Sequence, residues 1–343
     1  NRDMGQKYYH FILIAKNAQG HRAIRELSSR AWLNSYWDRG MERVVTTYED
    51  LKEIIEKYPN SVIATTACLG GELSSTLMNL NIAEATFNMG EAQNEHEHVV
   101  TFMLFCQNLF GEDFYLELAP GKSKDQLAVN KRIMAVATAF NVKMVVGTDA
   151  HYLKKEDRYV HKAYLNSKGG EREVDDFYEY SYLQSNEEIM DNLKAAGIWE
   201  ENIETMFKNS MEIYDKIENY SLLHKQQIPK VEVKDYEIKR IINEDELKFT
   251  EKYPTLTALY QSEDKVERYW VNTCVEKLFE LKQYNPIYLS RLEEEARVKK
   301  IISEKLETNM FGYPVTLQHY VDLFWECGSI VGAGRGSSCS GLN

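Results

Sequence analysis

From its first residues the chain alternates short apolar runs rich in β-formers with longer stretches of helical spacing, the pattern of βα units and hence of an α/β domain. Four runs read as strands: 9–15 (YHFILIA), 61–66 (SVIATT), 113–118 (DFYLEL) and 142–147 (VKMVVG). Each is short and almost continuously apolar, as strands of a parallel sheet buried on both faces are. Between them, 48–58 and 123–140 carry amphipathic helical spacing, the second with Ile133, Ala137 and Phe140 on one stripe that would cover the sheet. The rhythm breaks over 221–236, where Ile228-Pro229-Lys230 is followed by an alternating VEVKDYEIK run, and a connection between domains is expected there. Beyond it lie charge-rich helical stretches, notably 291–308. A Tyr313-Pro314 start then leads into an apolar helix over 317–327 and a short strand over 329–331. The stretch 243–270 resists assignment.

A length of 343 residues exceeds what one hydrophobic core usually supports, so two domains are expected. With 43% hydrophobic and 27% charged residues the composition is that of a folded globular chain and excludes disorder. No window approaches the roughly 18 uncharged apolar residues of a membrane span, which leads to an expectation of a soluble, cytoplasmic protein with no membrane partner. Cys68, Cys106, Cys274, Cys327 and Cys339 are scattered and never paired as CxxC, which argues against a disulfide framework or zinc ribbon. The net charge of −12 opposes a nucleic-acid footprint over the whole surface, since phosphates require clustered Lys and Arg. It leaves room for a cation held by carboxylates.

Two constellations carry chemistry. Thr148-Asp149-Ala150-His151 follows the last strand directly, at the end where α/β barrels place their active sites. Asp149 and His151, two apart in extended chain, would point the same way and share a cation such as Zn²⁺ or Mn²⁺. Glu117 ends a second strand and Cys68 follows a third, so four ligand-competent side chains would meet if these strands are neighbours. Taken singly, Cys68 also reads as a small buried hydrophobe and Asp149 as a helix cap. His96 and His98 form an HxH, but on a helix over 91–109 they lie about 200° apart around the axis and cannot share one ion. An exposed polar helix start is the simpler reading. The second constellation is 331–338 (VGAGRGSS), whose glycines let backbone N–H groups approach an anion while Arg335 and the serines add donors. It is neither a Walker A loop nor a dinucleotide fingerprint, and a plain glycine turn remains the alternative.

In this order these segments resemble the alpha subunit of bacterial DNA polymerase III, a C-family replicative polymerase. HFILIAKNAQG is similar to the family's HLTLLAKN-type strand and turn, ACLGGEL to its SGCLGGE segment, and DFYLEL to FYLEIQ. VVGTDAHYLKKED resembles VATNDVHYLxxED, IPK resembles the LPKF stretch, and FGYPVTLQHYVDLFWECGSIVGAGRGSS resembles the segment ending in GPGRGSA. The resemblance implies a PHP-type distorted (β/α)7 barrel, N-terminally incomplete, over 1–222, a connection over 223–240, and the beginning of a nucleotidyltransferase-like palm over 241–343. It implies Cys68, Glu117, Asp149 and His151 as metal ligands, and Gly334, Arg335, Gly336 and Ser337 as contacts to the triphosphate of an incoming nucleotide. The parent would be a template-directed DNA polymerase using Mg²⁺, with primer-template DNA, dNTPs, a sliding clamp and other replisome subunits as partners. Its PHP domain would be structural or a metal-dependent 3′–5′ proofreading nuclease.

The sequence also departs from the family. The HxH and DHG-type turn of the first barrel strand have no counterpart in residues 1–8. Pro120 and Gly121 stand where an Asn-His pair often follows the glutamate, Ala333 replaces the proline of GPGRGS, and Ser338-Cys339 replaces two small residues. The catalytic aspartates of the palm lie downstream of the GRGS loop in the family, so this chain alone is not expected to extend a primer. The alternative readings are a stand-alone PHP phosphoesterase using a metal-activated water, and a non-catalytic PHP scaffold that binds replisome partners.

Overall fold

The computed structural model describes residues 8–38, 40–167, 176–225, 227–234, 238 and 252–332. The chain divides into two compact units between Leu223 and His224.

The first unit is mixed α/β. Its elements are β1 (Ile12–Ala15), α1 (Ala18–Leu33), β2 (Tyr36–Asp38), β3 (Met41–Arg43), α2 (Tyr48–Lys57), β4 (Val62–Thr65), α3 (Glu72–Ala85), α4 (Met89–Phe110), β5 (Phe114–Leu118), α5 (Lys124–Phe140), β6 (Met144–Val146), α6 (Arg158–Asn166), α7 (Asn186–Ala195) and α8 (Glu200–Asp215). Helix starts follow side-chain capping: Asn17 accepts from the N–H groups of Gln19 and Gly20, Thr47 from Asp50, and Ser123 from Gln126. α1 can lie against the start of β4 because residue 20 is glycine. A Cβ there would stand 2.0 Å from the Ser61 carbonyl oxygen.

Four strands form one sheet in the order β1-β4-β5-β6, while β2 and β3 pair as a separate hairpin. β4, β5 and β6 run parallel, as their apolar runs predict, but β1 is antiparallel to β4, with Ile14 opposite Ile63. Alternation then sorts the side chains. Val62, Ala64, Phe114, Leu116 and Leu118 enter the large core built with α1 to α5, α7 and the first half of α8. Ile63, Tyr115 and Val145 turn to the opposite face, where Ile213 of α8 packs on them. Glu117 shares that second face with Tyr115.

A polar cluster ties α8 beneath the N-terminal ends of the strands. Asp113 accepts from Lys16 at 2.7 Å and pairs with Lys216 at 3.0 Å. Glu212 accepts from Lys143 at 2.6 Å and from the Tyr115 hydroxyl at 2.9 Å. The Lys143 hydrogen bond, helped by those from Lys216 and Tyr115, holds the Glu212 carboxyl down at about 2.

The described part of the second unit is helical: α9 (Pro254–Tyr260), α10 (Lys265–Glu280), α11 (Pro286–Leu306) and α12 (Gly312–Glu326). Pro254 and Pro286 occupy first-turn positions, where a missing N–H costs nothing. The Glu293 carboxylate accepts from the N–H groups of Thr255 and Leu256, each at 2.9 Å, and so caps α9 from a neighbouring helix. Leu256, Trp270, Val275, Leu292 and Phe311 centre its core. A Cβ at Gly312 would stand 2.7 Å from the Pro229 carbonyl oxygen, so glycine is what lets residues 228–230 lie against the start of α12.

Several expectations are corrected. Residues 329–331 form no strand, because Gly328 at φ +73° closes α12 and irregular backbone follows. The helices α9 and α10 occupy much of the stretch that resisted assignment. α1 and the β2–β3 hairpin were not foreseen, although α1 buries Gly20, Ala23, Leu27 and Ala31 along one stripe.

Because the Glu212 carboxyl is depressed, its contribution to stability is complete above the ordinary carboxylate range and fades as pH falls toward about 2. Glu212→Gln is therefore expected to lower Tm by about 2–4 °C at pH 7. In thermal unfolding followed by circular dichroism, its gap from the unchanged protein should close progressively in acid.

Candidate functional site

Because β4, β5 and β6 are adjacent and parallel, their C-terminal ends meet at one edge of the sheet, opposite the end tied down by α8. Glu117 projects there from β5. One of its carboxylate oxygens accepts from the Thr65 hydroxyl at 2.5 Å, and its own N–H donates to the Thr66 hydroxyl at 2.9 Å. The space for this carboxylate is made by Gly147 just past β6: a Cβ at that position would lie 1.7 Å from Glu117 Oε1. Burial raises the Glu117 carboxyl above its ordinary value and the Asp149 charge adds to the rise, against the Thr65 hydroxyl and the Ala67 N–H.

Cys68 and Asp149 arrive on the loops that leave β4 and β6. Both loops bend through left-handed backbone at non-glycine residues, Ala67 at φ +58° and Asp149 at φ +44°. Such conformations cost energy and cluster at functional sites. The Asp149 carboxylate is near enough for its charge to act on the Cys68 thiol. Burial pushes that thiol up to about 11, with the Gly70 N–H pulling it back and the Asp149 charge pushing it further. His10 completes the group: its Nδ1 is 3.4 Å from Cys68 Sγ, and its N–H donates to the Gly70 carbonyl at 3.0 Å.

Three of the four sequence-predicted ligands, Cys68, Glu117 and Asp149, are thus drawn together with a histidine that sequence reasoning passed over. His10 was read as part of a strand. Its signal was a polar, ligand-competent residue opening an otherwise apolar run. His151 behaves differently, and the expectation that it points alongside Asp149 fails because Asp149 is left-handed and not extended. The His151 ring lies 5.4 Å from that of His161 and 5.3 Å from that of Tyr178, and its Nδ1 is 2.7 Å from the Asp149 carbonyl oxygen. With Nδ1–H donated to a carbonyl, Nε2 is left as the ligand atom, an arrangement common in metal-binding histidines. Among the described residues no three His, Cys, Asp or Glu side chains stand ready to hold an ion as they are.

The HxH on α4 splits as its helical geometry requires. His96 is exposed, whereas His98 is half-buried and bonded at 2.8 Å to Glu72, so it is more than an exposed helix start. The Glu72 hydrogen bond raises the His98 imidazole above its ordinary value. The phosphate-loop residues Gly334, Arg335, Gly336 and Ser337 lie outside the described residues.

The α/β unit that carries this strand edge is recognised by comparison: residues 2–120 match the model of the PHP domain family. Beyond that segment, the chain is similar over nearly its whole length to proteins named as DNA polymerases and DNA polymerase III alpha subunits. It is 36% identical over 353 residues to a probable DNA polymerase YorL of Bacillus subtilis, covering 98% of this chain and 26% of the relative. The same figures hold for a DNA-directed DNA polymerase of Bacillus phage SPbeta. A DNA polymerase III subunit alpha of Helicobacter pylori is 26% identical over 347 residues, 97% of this chain and 25% of the relative. The chain therefore spans about a quarter of the length of these curated relatives. No described helix is long and apolar enough to cross a membrane.

Gly147→Ala is expected to drive a methyl group into the Glu117 carboxylate and cost about 1–3 kcal/mol, the usual penalty for overpacking. Urea denaturation should register a lower midpoint at unchanged slope.

Proposed function

We propose that this chain is the PHP-bearing part of a template-directed DNA polymerase that adds deoxynucleotides to a primer 3′ end during replication. The observation that carries the reading is the edge cluster of His10, Cys68, Glu117 and Asp149 in a chain similar to named DNA polymerases over 98% of its length. In this reading residues 1–222 form a distorted PHP barrel, 223–240 a connection, and 241–343 the beginning of the palm. Gly334, Arg335, Gly336 and Ser337 grip the triphosphate of the incoming nucleotide, and Mg²⁺ serves the parent polymerase. Primer-template DNA and dNTPs are its substrates, a sliding clamp and other replisome subunits its partners, and the cytoplasm its location.

The edge cluster is read as a site for Mn²⁺ or Zn²⁺ in 3′–5′ proofreading. Its donors suit such an ion: a thiol, two carboxylates and an imidazole, to which His151 Nε2 adds a fifth. A bound ion would supply Lewis-acid polarisation of a phosphodiester. The chain's own part is to crowd Cys68, Glu117 and Asp149 so that negative charge has reason to accept a cation, and to orient Glu117 through Thr65. Three donors do not yet converge in the described arrangement, so ion binding must draw the two loops inward. The second reading, a scaffold without hydrolysis, is favoured by that same lack of convergence.

The full-length protein carrying this sequence is expected to extend a primed template, and Arg335→Ala to raise KM for dNTP on the order of 10–100-fold with little loss of primer binding, as removal of a charge-assisted phosphate contact would. Absence of template-dependent synthesis by the full-length protein would defeat the polymerase reading. Asp149→Asn is expected to weaken Mn²⁺ binding, measured calorimetrically, on the order of 10–100-fold and to abolish removal of a mispaired 3′ nucleotide. Nuclease activity that is absent from the unmodified full-length protein, with no Mn²⁺ or Zn²⁺ retained, would leave the scaffold reading in its place.

A further inference from the structure

Beside the edge cluster, on the other side of His10, the first unit holds a cleft of about 790 Å³. Its walls include Tyr9, His10, Tyr48, Glu72, His98 and Phe105, drawn from the approach to β1, from α2, and from the facing helices α3 and α4. The Tyr48 and Phe105 rings meet edge to face, with centroids 4.8 Å apart, so the apolar side of the cleft presents aromatic surface held in a fixed geometry. On the polar side, Glu72 opens α3 with its side chain only 12% exposed. It accepts from the Tyr48 hydroxyl and from His98 Nε2, the latter at 2.8 Å. A carboxylate offers about four acceptor positions, so Glu72 can accept further N–H donors from a ligand. The two groups that the edge cluster leaves unused, Glu72 and the His98 of the HxH motif, therefore belong to one recess.

Three features of the recess select its ligand. Its size lies within the 300–1,000 Å³ range typical of small-molecule sites. Aromatic faces beside a buried acceptor suit a flat heteroaromatic ring that carries N–H donors, as a nucleobase does. His10 lines the cleft while its Nδ1 sits 3.4 Å from Cys68 Sγ, so a ligand whose ring occupies the cleft would have its next group beside the edge cluster. Ring in the cleft and phosphate at the cluster describe a nucleotide.

We propose that this cleft holds the base of the nucleotide whose phosphoester lies at the edge cluster, stacked on one of the perpendicular Tyr48 and Phe105 rings and edge-on to the other, with Glu72 accepting from its amino or ring N–H groups. The proposal rests on the phosphoester reading of the cluster and adds to it a site that distinguishes a nucleotide from a bare sugar phosphate. A base extruded from its stack into such a pocket is read by its hydrogen-bonding edge, so bases with an exocyclic amine are favoured over thymine.

The test uses the full chain, titrated calorimetrically with dCMP, dTMP and deoxyribose 5-phosphate, with and without Mn²⁺. Binding of dCMP about tenfold or more tighter than the baseless sugar phosphate, with dTMP between them, is the expected result, in line with the contribution of one stacked base. Thr46, an exposed residue of the cleft wall, allows the space to be filled without touching the core. Thr46→Trp should remove the advantage of dCMP while leaving Mn²⁺ affinity and the circular dichroism spectrum unchanged. Equal binding of dCMP and the sugar phosphate, or a dCMP advantage that survives Thr46→Trp, would overturn the proposal. A base-dependent advantage that persists in a protein unable to bind Mn²⁺ would overturn the phosphoester reading alone and support the cleft as a base site.

Discussion

The register of β5 between β4 and β6 governs everything at the candidate site. Side chains of a strand alternate between faces, so the pairing that sends Phe114, Leu116 and Leu118 into the main core necessarily sends Tyr115 and Glu117 the other way. A slip by one residue would bury the Glu117 carboxylate among leucines and bring those leucines into the open, which the burial of apolar surface forbids. The carboxylate is therefore held at the edge by hydrophobic packing that lies on the opposite side of the sheet.

The two ends of this sheet treat charge in opposite ways. At the N-terminal end Asp113 and Glu212 meet Lys16, Lys143 and Lys216, so each carboxylate has cationic partners and α8 is anchored over Ile63, Tyr115 and Val145. At the C-terminal end Asp149 neighbours both Cys68 and Glu117, and among the described residues no lysine or arginine pairs with them in the same way. Thiol and carboxyl are both raised, by burial first and by the neighbouring charge next. Both groups therefore hold their protons more tightly than usual, and the left-handed backbone at Ala67 and Asp149 supplies the strained loops that bring them together.

The second unit is held by a different device, a helix cluster in which acidic side chains serve as fasteners. Glu293 caps α9 from α11, and Glu267, nearly buried on α10, reaches Lys300 of α11 at 2.9 Å. Along α12, only Gly312 and Val315 are buried, while Leu317, Tyr320, Leu323, Phe324 and Trp325 are about half exposed.

Periodicity and turn chemistry made the central strands, α2, α5 and the apolar α12 legible, because each depends on local spacing and caps that one stretch of sequence carries. The same reading set Cys68, Glu117 and Asp149 near the ends of three strands, and local rules suffice for that. It could not make those strands neighbours, reverse β1 against β4, or bend Asp149 into left-handed backbone and turn His151 toward His161 and Tyr178. Nor could it draw His10 to Cys68 or Glu72 to His98, pairs separated by 58 and 26 positions. Such meetings are decided by which faces can be buried together across the whole unit, and that choice belongs to tertiary packing because no single segment contains both partners.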